Sequence, residues 1–393
     1  MTKYFLFLSL IVQMTILFAQ LESAPKPNIF LKLDYQHGSV LQSSDFFRGE
    51  NASGEAIKRV QAFTLEVGWQ SSGTNEFDAL MGYPAYGVGL STYLFPTTDE
   101  LGEPAALYMF LDGPFKRWNR FSIKYIVRLG LSYNFSPADP IENPFNLVIG
   151  SYKNLYINGG VNVEYSVGNR VELGAGITAA HFSNGRSTVP NTGLNIFTPN
   201  IYAKYHFNQG RGFNYKKFEI SPFEPTTELL FVFGHGTHQK EFAADDTGAP
   251  DQIAVNFPNF NFSTTLNRHF IRPLKLGAGL DIVYFGPTNA EVELTDGGIW
   301  KKVNTSVADK MQLGLFANIE WVMNNVSFYA QPGYRIYQKK EFKTRPNFYQ
   351  HLALKYHIQD VILGMGIRAT QFTRAEFIEW DLGYRFKWGK KNS

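Results

Sequence analysis

The chain of 393 residues contains no cysteine. Disulfides, a lipoprotein anchor, thiol nucleophiles and cysteine-based metal sites are therefore excluded. Charge is scarce too: Asp, Glu, Lys and Arg supply 18% of the residues, against about a quarter in soluble domains. The net charge of +3 is too small and too evenly spread for a nucleic-acid-binding surface. Beyond the N-terminus, no stretch approaches the ~18 consecutive apolar residues that a spanning helix needs. What the chain has in abundance is aromatic residues, with 35 Phe and 21 Tyr.

Lys3, the apolar run from Tyr4 to Phe18 and the small residues after it predict a secretory signal over residues 1–20, cleaved near Ala19-Gln20 or later near Ala24. An exported chain of this composition is either a soluble periplasmic β protein or an outer-membrane barrel. Periodicity favours the barrel. Ile378, Trp380, Leu382, Tyr384, Phe386 and Trp388 alternate with Glu379, Asp381, Gly383, Arg385 and Lys387. Ile123 to Tyr133 and Leu274 to Tyr284 alternate in the same way. Such segments have the length of tilted transmembrane strands, roughly 9–11 residues or slightly more. About 16 of them are found, near 29–41, 59–70, 84–95, 104–115, 122–134, 156–167, 171–184 and 195–207, then 226–239, 252–266, 274–285, 310–322, 326–336, 347–357, 361–370 and 375–388. The weaker segments leave a count of 12 to 16, and Pro258 and Pro332 call for bulges.

The expected fold is all-β: one antiparallel transmembrane β-barrel of about 16 strands, formed by residues 21–393. Short even-to-odd links (Val167 to Arg170, Met323 to Asn325, around Ile358 to Asp360) alternate with long polar odd-to-even links, the periplasmic and extracellular pattern of bacterial barrels. The link from Asn208 to Pro225 breaks this alternation, being long and even-to-odd.

The stretch His181-Phe182-Ser183-Asn184-Gly185-Arg186-Ser187, followed by Pro190-Asn191-Thr192-Gly193-Leu194-Asn195, carries candidate chemistry. Residues i and i+2 of a strand share a face, so His181 and Ser183 point the same way, and Asn195 begins the next strand. A base, a nucleophile and an orienting group on one hairpin is a hydrolase arrangement. His181 and Ser183 fall in register with Val171, Leu173, Ile177 and Ala179, and Asn195 with Phe197, Ile201 and Tyr205. All three therefore face lipid at the outer end of the barrel. Polar groups there are costly without a purpose, and a lipid is the substrate such a position serves.

At these residues the sequence resembles two outer-membrane ester hydrolase families. The His-x-Ser-Asn core and the downstream Pro-Asn-x-Gly element are similar to the PagL-type lipid A deacylases, also called acyloxyacyl hydrolases. That family implies an outer-membrane barrel with a lipid-facing triad that removes an acyl chain from lipid A. Carried over, Ser183 is the nucleophile, His181 the general base, and the backbone around Asn184 and Gly185 the oxyanion hole. The family has a glutamate where this chain has Asn195. Asparagine accepts a hydrogen bond from the imidazole but offers no charge to the imidazolium. The motif from His181 to Ser187 also resembles outer-membrane phospholipase A, whose triad is Ser-His-Asn; that resemblance implies glycerophospholipid as substrate and a need for calcium. No metal or other cofactor is expected otherwise. The partners implied are the outer membrane and lipid A, lipopolysaccharide or phospholipid, with monomer and homodimer both open.

Other residues have blander readings. His235 and His238 alternate across one strand, so they cannot share a metal on one face and serve better as interfacial anchors. Lys124, Arg128, Lys204, His206, Asp281, Glu379 and Arg385 face the lumen. A ring of about 16 strands leaves an aqueous lumen, which makes a non-enzymatic, porin-like barrel the competing architecture. Lys301, Lys302, Lys339, Lys340, Lys343 and Arg345 lie in extracellular links, where they are either solvated or placed to meet lipid A phosphates.

Overall fold

The computed structural model describes residues 28–388 apart from 72–75, 97, 208–219, 243–252, 295–299, 304–305, 340–344 and 373. The expected signal at 1–20, Lys340 and Lys343, and the side chains of Lys301 and Lys302 lie outside the described residues. The first half of the chain forms β1 (Asn28–Val40), β2 (Arg59–Gln70), β3 (Ala85–Leu94), β4 (Gly102–Arg117), β5 (Phe121–Phe135), β6 (Asn154–Ser166), β7 (Val171–Ser183) and β8 (Leu194–His206). The second half forms β9 (Thr226–Phe242), β10 (Ile253–Ile271), β11 (Leu274–Phe285), β12 (Glu291–Leu294), β13 (Trp300–Val303), β14 (Met311–Met323), β15 (Val326–Gln338), β16 (Phe348–Ile358), β17 (Val361–Thr370) and β18 (Arg374–Trp388).

Each of the 16 expected segments is a strand, and all their pairings are antiparallel. They close as two rings of eight rather than one of sixteen. In the first, β1 to β8 pair in chain order and β1 returns to β8. In the second, β9, β10, β11 and β14 to β18 pair in order and β18 returns to β9. β12 and β13 form a separate hairpin within the link after β11. Alternation decides which face of a strand meets lipid; it carries no information about where the sheet closes. The trace of closure was the anomalous link: residues 207–225 join one ring to the other.

The two prolines are accommodated without register shifts of their own. Pro258 pairs with Thr237 in continuous register, while the ladder between β10 and β11 begins only at Asn259. At Pro332 the ladder between β14 and β15 steps from Phe316↔Gly333 to Ile319↔Ala330 in unchanged register. The missing N–H thus interrupts bonding locally and shifts nothing.

Rings of eight are just wide enough for side chains to fill, and side chains occupy both lumens. In the first, Arg128 is fully buried and reaches Glu66 at 2.7 Å, Asn158 at 2.9 Å and Asp34 at 3.0 Å. Lys124 and Lys204 share Glu164, at 3.3 and 2.6 Å. Nearer the outer end, Phe182 packs edge-on to Tyr93 and Phe135, above a bond between the Tyr93 and Tyr156 hydroxyls. The short helix Asp45–Arg48 adds Phe46 and Phe47 to this cluster. In the second, Arg368 grips Asp281 and Arg335 grips Glu376. Arg385 is only half-buried, bonded at the periplasmic end to the Gln359 carbonyl. The aqueous lumen of a sixteen-stranded, porin-like ring is not formed. The outer walls carry Leu33, Phe63, Met109, Leu173, Ile201, Trp380 and Leu382 exposed, the apolar face of membrane strands.

Candidate active site

β7 runs outward from the tight turn after β6, and β8 returns along it. Their register sets His181 directly opposite Asn195. In an antiparallel pair such residues share a face at close range, and His181 Nδ1 lies 2.7 Å from Asn195 Oδ1. The amide oxygen accepts the Nδ1 proton, which leaves Nε2 as the ring's acceptor. A slip of one residue would send either partner to the lumen.

Ser183 is 5% exposed, and its Oγ accepts the Gly185 N–H at 3.2 Å. Among the described residues no hydrogen bond joins His181 to Ser183. The two side chains instead converge over Gly193. A Cβ on Gly193 would stand 2.9 Å from His181 Cε1 and 3.5 Å from Ser183 Cβ, and the residue has φ +79°. Glycine is required there on both counts. Gly193→Ala is expected to add about 1–3 kcal/mol of backbone strain and to push the imidazole aside. A misplacement near 1 Å costs about 100-fold, to be read as a fall in kcat in an ester-hydrolysis assay.

The Pro190–Gly193 element closes over the core motif. Asn191 Oδ1 accepts the Asn184 N–H at 3.2 Å. The Asn184 side chain donates to Ser151 Oγ at 2.8 Å, and the Gly193 N–H donates to the Val148 carbonyl at 3.3 Å. The two expected oxyanion donors thus differ. The Gly185 N–H donates to Ser183 Oγ, whereas the Asn184 N–H is held by Asn191.

The second ring abuts this loop. A Cβ on Gly185 would lie 2.3 Å from Ile378 Cδ1 of β18. Gln239 of β9 donates its N–H to the Arg186 carbonyl at 2.9 Å and accepts the Val189 N–H on Oε1 at 2.7 Å. The rings also meet at the opposite end, where Glu76 takes the Ser221 N–H and an ion pair from Arg272, each at 2.6 Å. The Ser221 bond holds the Glu76 carboxyl below the usual carboxylate range. Gln239 and Ile378 had no local signal in the sequence, because each meets the loop only through contact between the rings; Ser151 lies just before β6, the hairpin partner of β7, and is an isolated polar link residue with no motif of its own. His235 and His238 are bonded to the Asn259 and Glu376 carbonyls, and no bond joins either to the candidate triad. A second His-x-Ser, His37 and Ser39 on β1, also faces outward. Its histidine has no orienting partner among the described residues.

Three solved structures are similar in outline. The outer membrane enzyme PagL is 14% identical, over 44% of this chain and 98% of its own, with a TM-score of 0.28. A Rhodopseudomonas blastica porin triple mutant is 7% identical over 91% and 99%, at 0.18. A deletion mutant of the monoaromatic hydrocarbon channel TodX is 10% identical over 94% and 92%, also at 0.18. No curated protein sequence matches. Family models are more telling, since each ring meets its own. The model for lipid A 3-O-deacylase (PagL) matches residues 63–204. The model for the acyloxyacyl hydrolase C-terminal domain matches residues 227–388. Between them these models span well over half of the chain, which therefore belongs to the PagL-type lipid A deacylase family of the outer membrane.

Proposed function

We propose that the chain is a serine ester hydrolase that removes an ester-linked acyl chain from lipid A, using Ser183, His181 and Asn195 on the membrane face of its first ring. The observation that carries this reading is the 2.7 Å bond between His181 Nδ1 and Asn195 Oδ1, beside a buried serine on the lipid side of a barrel. His181 Nε2 takes the Ser183 hydroxyl proton while Oγ bonds to the acyl carbonyl carbon. The oxyanion forms nearest the Gly185 N–H, and preorganised donors of this kind supply about 2.7–4 kcal/mol each. The Asn184 N–H contributes once its bond to Asn191 yields. Collapse breaks the C–O bond to the sugar, whose oxygen takes the proton from Nε2. Water then gives a proton to Nε2 as its oxygen bonds to the acyl carbon; the C–Oγ bond breaks, Ser183 Oγ takes the proton back from Nε2, and the fatty acid is released. No step requires a metal or other cofactor.

The test is mass spectrometry of lipid A from cells with and without the protein. One hydroxyacyl chain should be lost in its presence and kept with Ser183→Ala; an unchanged profile overturns the deacylase reading. Asn195 is expected to act through orientation alone. Asn195→Ala removes a hydrogen bond to a ring that becomes charged, worth about 1.5–3 kcal/mol, so hydrolysis should slow about 10- to 150-fold. Asn195→Asp should retain or exceed the original rate.

Asn195 also favours a second reading, because it matches the third member of the phospholipase A triad. Calcium-dependent release of fatty acid from glycerophospholipid vesicles, with lipid A untouched, would establish that reading instead.

A further inference from the structure

Within the second ring, His351 of β16 and Glu379 and Asp381 of β18 face the lumen, 4%, 0% and 5% exposed. One nitrogen or oxygen from each lies within 4.8 Å of the other two. They reach one another across β17, which has glycine at both crossing points: Gly366 pairs with Glu379 and Gly364 with Asp381. A Cβ on Gly366 would stand 2.2 Å from His351 Nε2. On the other flank, a Cβ on Gly234 of β9 would stand 2.7 Å from both Glu379 Oε2 and Asp381 Oδ1. Glycine on either side leaves a small space bounded by these polar atoms.

Other buried carboxylates, Glu66 and Glu320 among them, have one unpartnered oxygen, but each is held in an ion pair with Arg or Lys. Elsewhere in the lumens carboxylates meet guanidinium or ammonium groups, as Glu66 meets Arg128 and Asp281 meets Arg368. Asp381 has no ion pair among the described residues, and neither of its oxygens has a hydrogen-bond partner. Glu379 Oε1 takes the Asn261 amide at 3.1 Å, but Oε2 is unpartnered. His351 Nε2 stands 2.9 Å from Glu379 Oε1 without hydrogen-bond geometry. The nearby ammonium of Lys355 is turned to the Tyr329 ring, 3.2 Å from its centroid.

The histidine is oriented from behind. Gln331 Nε2 donates to Asp281 Oδ2 at 2.8 Å, which turns Gln331 Oε1 towards His351 Nδ1, 3.5 Å away. With its proton on Nδ1, the ring presents a lone pair on Nε2 to two carboxylates. Support of one ring nitrogen by an outer partner is the usual setting of a metal-bound histidine. Buried charges must be paired or must coordinate a metal, and one imidazole with two carboxylates is a donor set for a divalent cation such as zinc.

We propose that His351, Glu379 and Asp381 bind one Zn²⁺, which ties β16 to β18 across β17 and sets the inner wall of the second ring. The site stands apart from the hydrolytic chemistry and needs none of it.

The test uses the full chain, folded in detergent, stripped with EDTA and dialysed against Zn²⁺. Wild type should retain one Zn²⁺ per chain by elemental mass spectrometry. Asp381→Asn and His351→Gln should each weaken binding by about 100-fold or more, since loss of an outer-shell partner alone costs 10- to 100-fold. Zn²⁺ should raise the unfolding midpoint of stripped wild type and leave that of Asp381→Asn unmoved. Equal binding by wild type and Asp381→Asn overturns the proposal, because the zinc is then held elsewhere. If the variants fail to fold, a stripped wild type whose midpoint Zn²⁺ does not change overturns it equally.

Discussion

Ser183→Ala is expected to cut acyl release from lipid A by on the order of 10⁴- to 10⁶-fold in kcat, with KM little changed. In the proposed mechanism Ser183 Oγ is the atom that bonds to the carbonyl carbon, and without it the covalent route is closed. What survives is the contribution of the Gly185 N–H and of substrate positioning; in serine hydrolases this residue of catalysis is about 10³–10⁴ over water. His181→Ala should fall within about tenfold of the same level, and the double variant should be no slower than either, since nucleophile and base act as one unit. Ser183→Ala leaves no buried partner stranded beyond the Gly185 N–H, so the barrel should fold as before. Fatty acid release from lipid A in detergent micelles measures the loss, and the heat-dependent gel mobility of the folded barrel provides the control. A rate above a tenth of wild type would remove Ser183 from the chemistry.

Arg128→Ala should damage the molecule rather than the reaction. Its guanidinium is fully buried and bonds to Glu66, Asn158 and Asp34 in the first lumen. Removing it leaves Lys32 as the one cation shared by two buried carboxylates, at 3.1 Å from Glu66 and 3.9 Å from Asp34, and breaking a buried ion pair from one side costs about 3–5 kcal/mol. The urea midpoint in lipid vesicles should drop accordingly. Arg128→Met with Glu66→Gln should recover much of the loss, because the second change leaves a single carboxylate, Asp34, facing Lys32. If Arg128→Ala unfolds at the wild-type midpoint, the lattice is not what holds the first lumen together.

Much of this was legible from one strand at a time. The period of two gave every strand of the two rings and its lipid face, because each depends on neighbours two residues away; the short hairpin of β12 and β13 fell within an expected loop. It also put His181, Ser183 and Asn195 on one face, since the bond between His181 and Asn195 spans a single hairpin. Two things were not legible for one shared reason. The closure of β1 on β8 and the bond from Gln239 to the site loop both depend on which distant strands become neighbours. The His351–Glu379–Asp381 cluster lies on consecutive strands but carries no spacing signal, because its residues meet across β17. Local alternation is identical whether sixteen strands make one ring or two. The long link at 207–225 was the single residue-level sign of the division.

The grip of Gln239 on the Arg186 and Val189 backbone has a consequence for the order of events in the life of the chain. Gln239 stands well downstream of the hairpin that it holds. While the first ring is the only part made, those two bonds have no donor and no acceptor, and Ile378 is not yet against Gly185. The loop carrying the candidate nucleophile reaches its described shape only when the later strands are in place. The proposed hydrolytic surface is therefore complete only when both rings have formed.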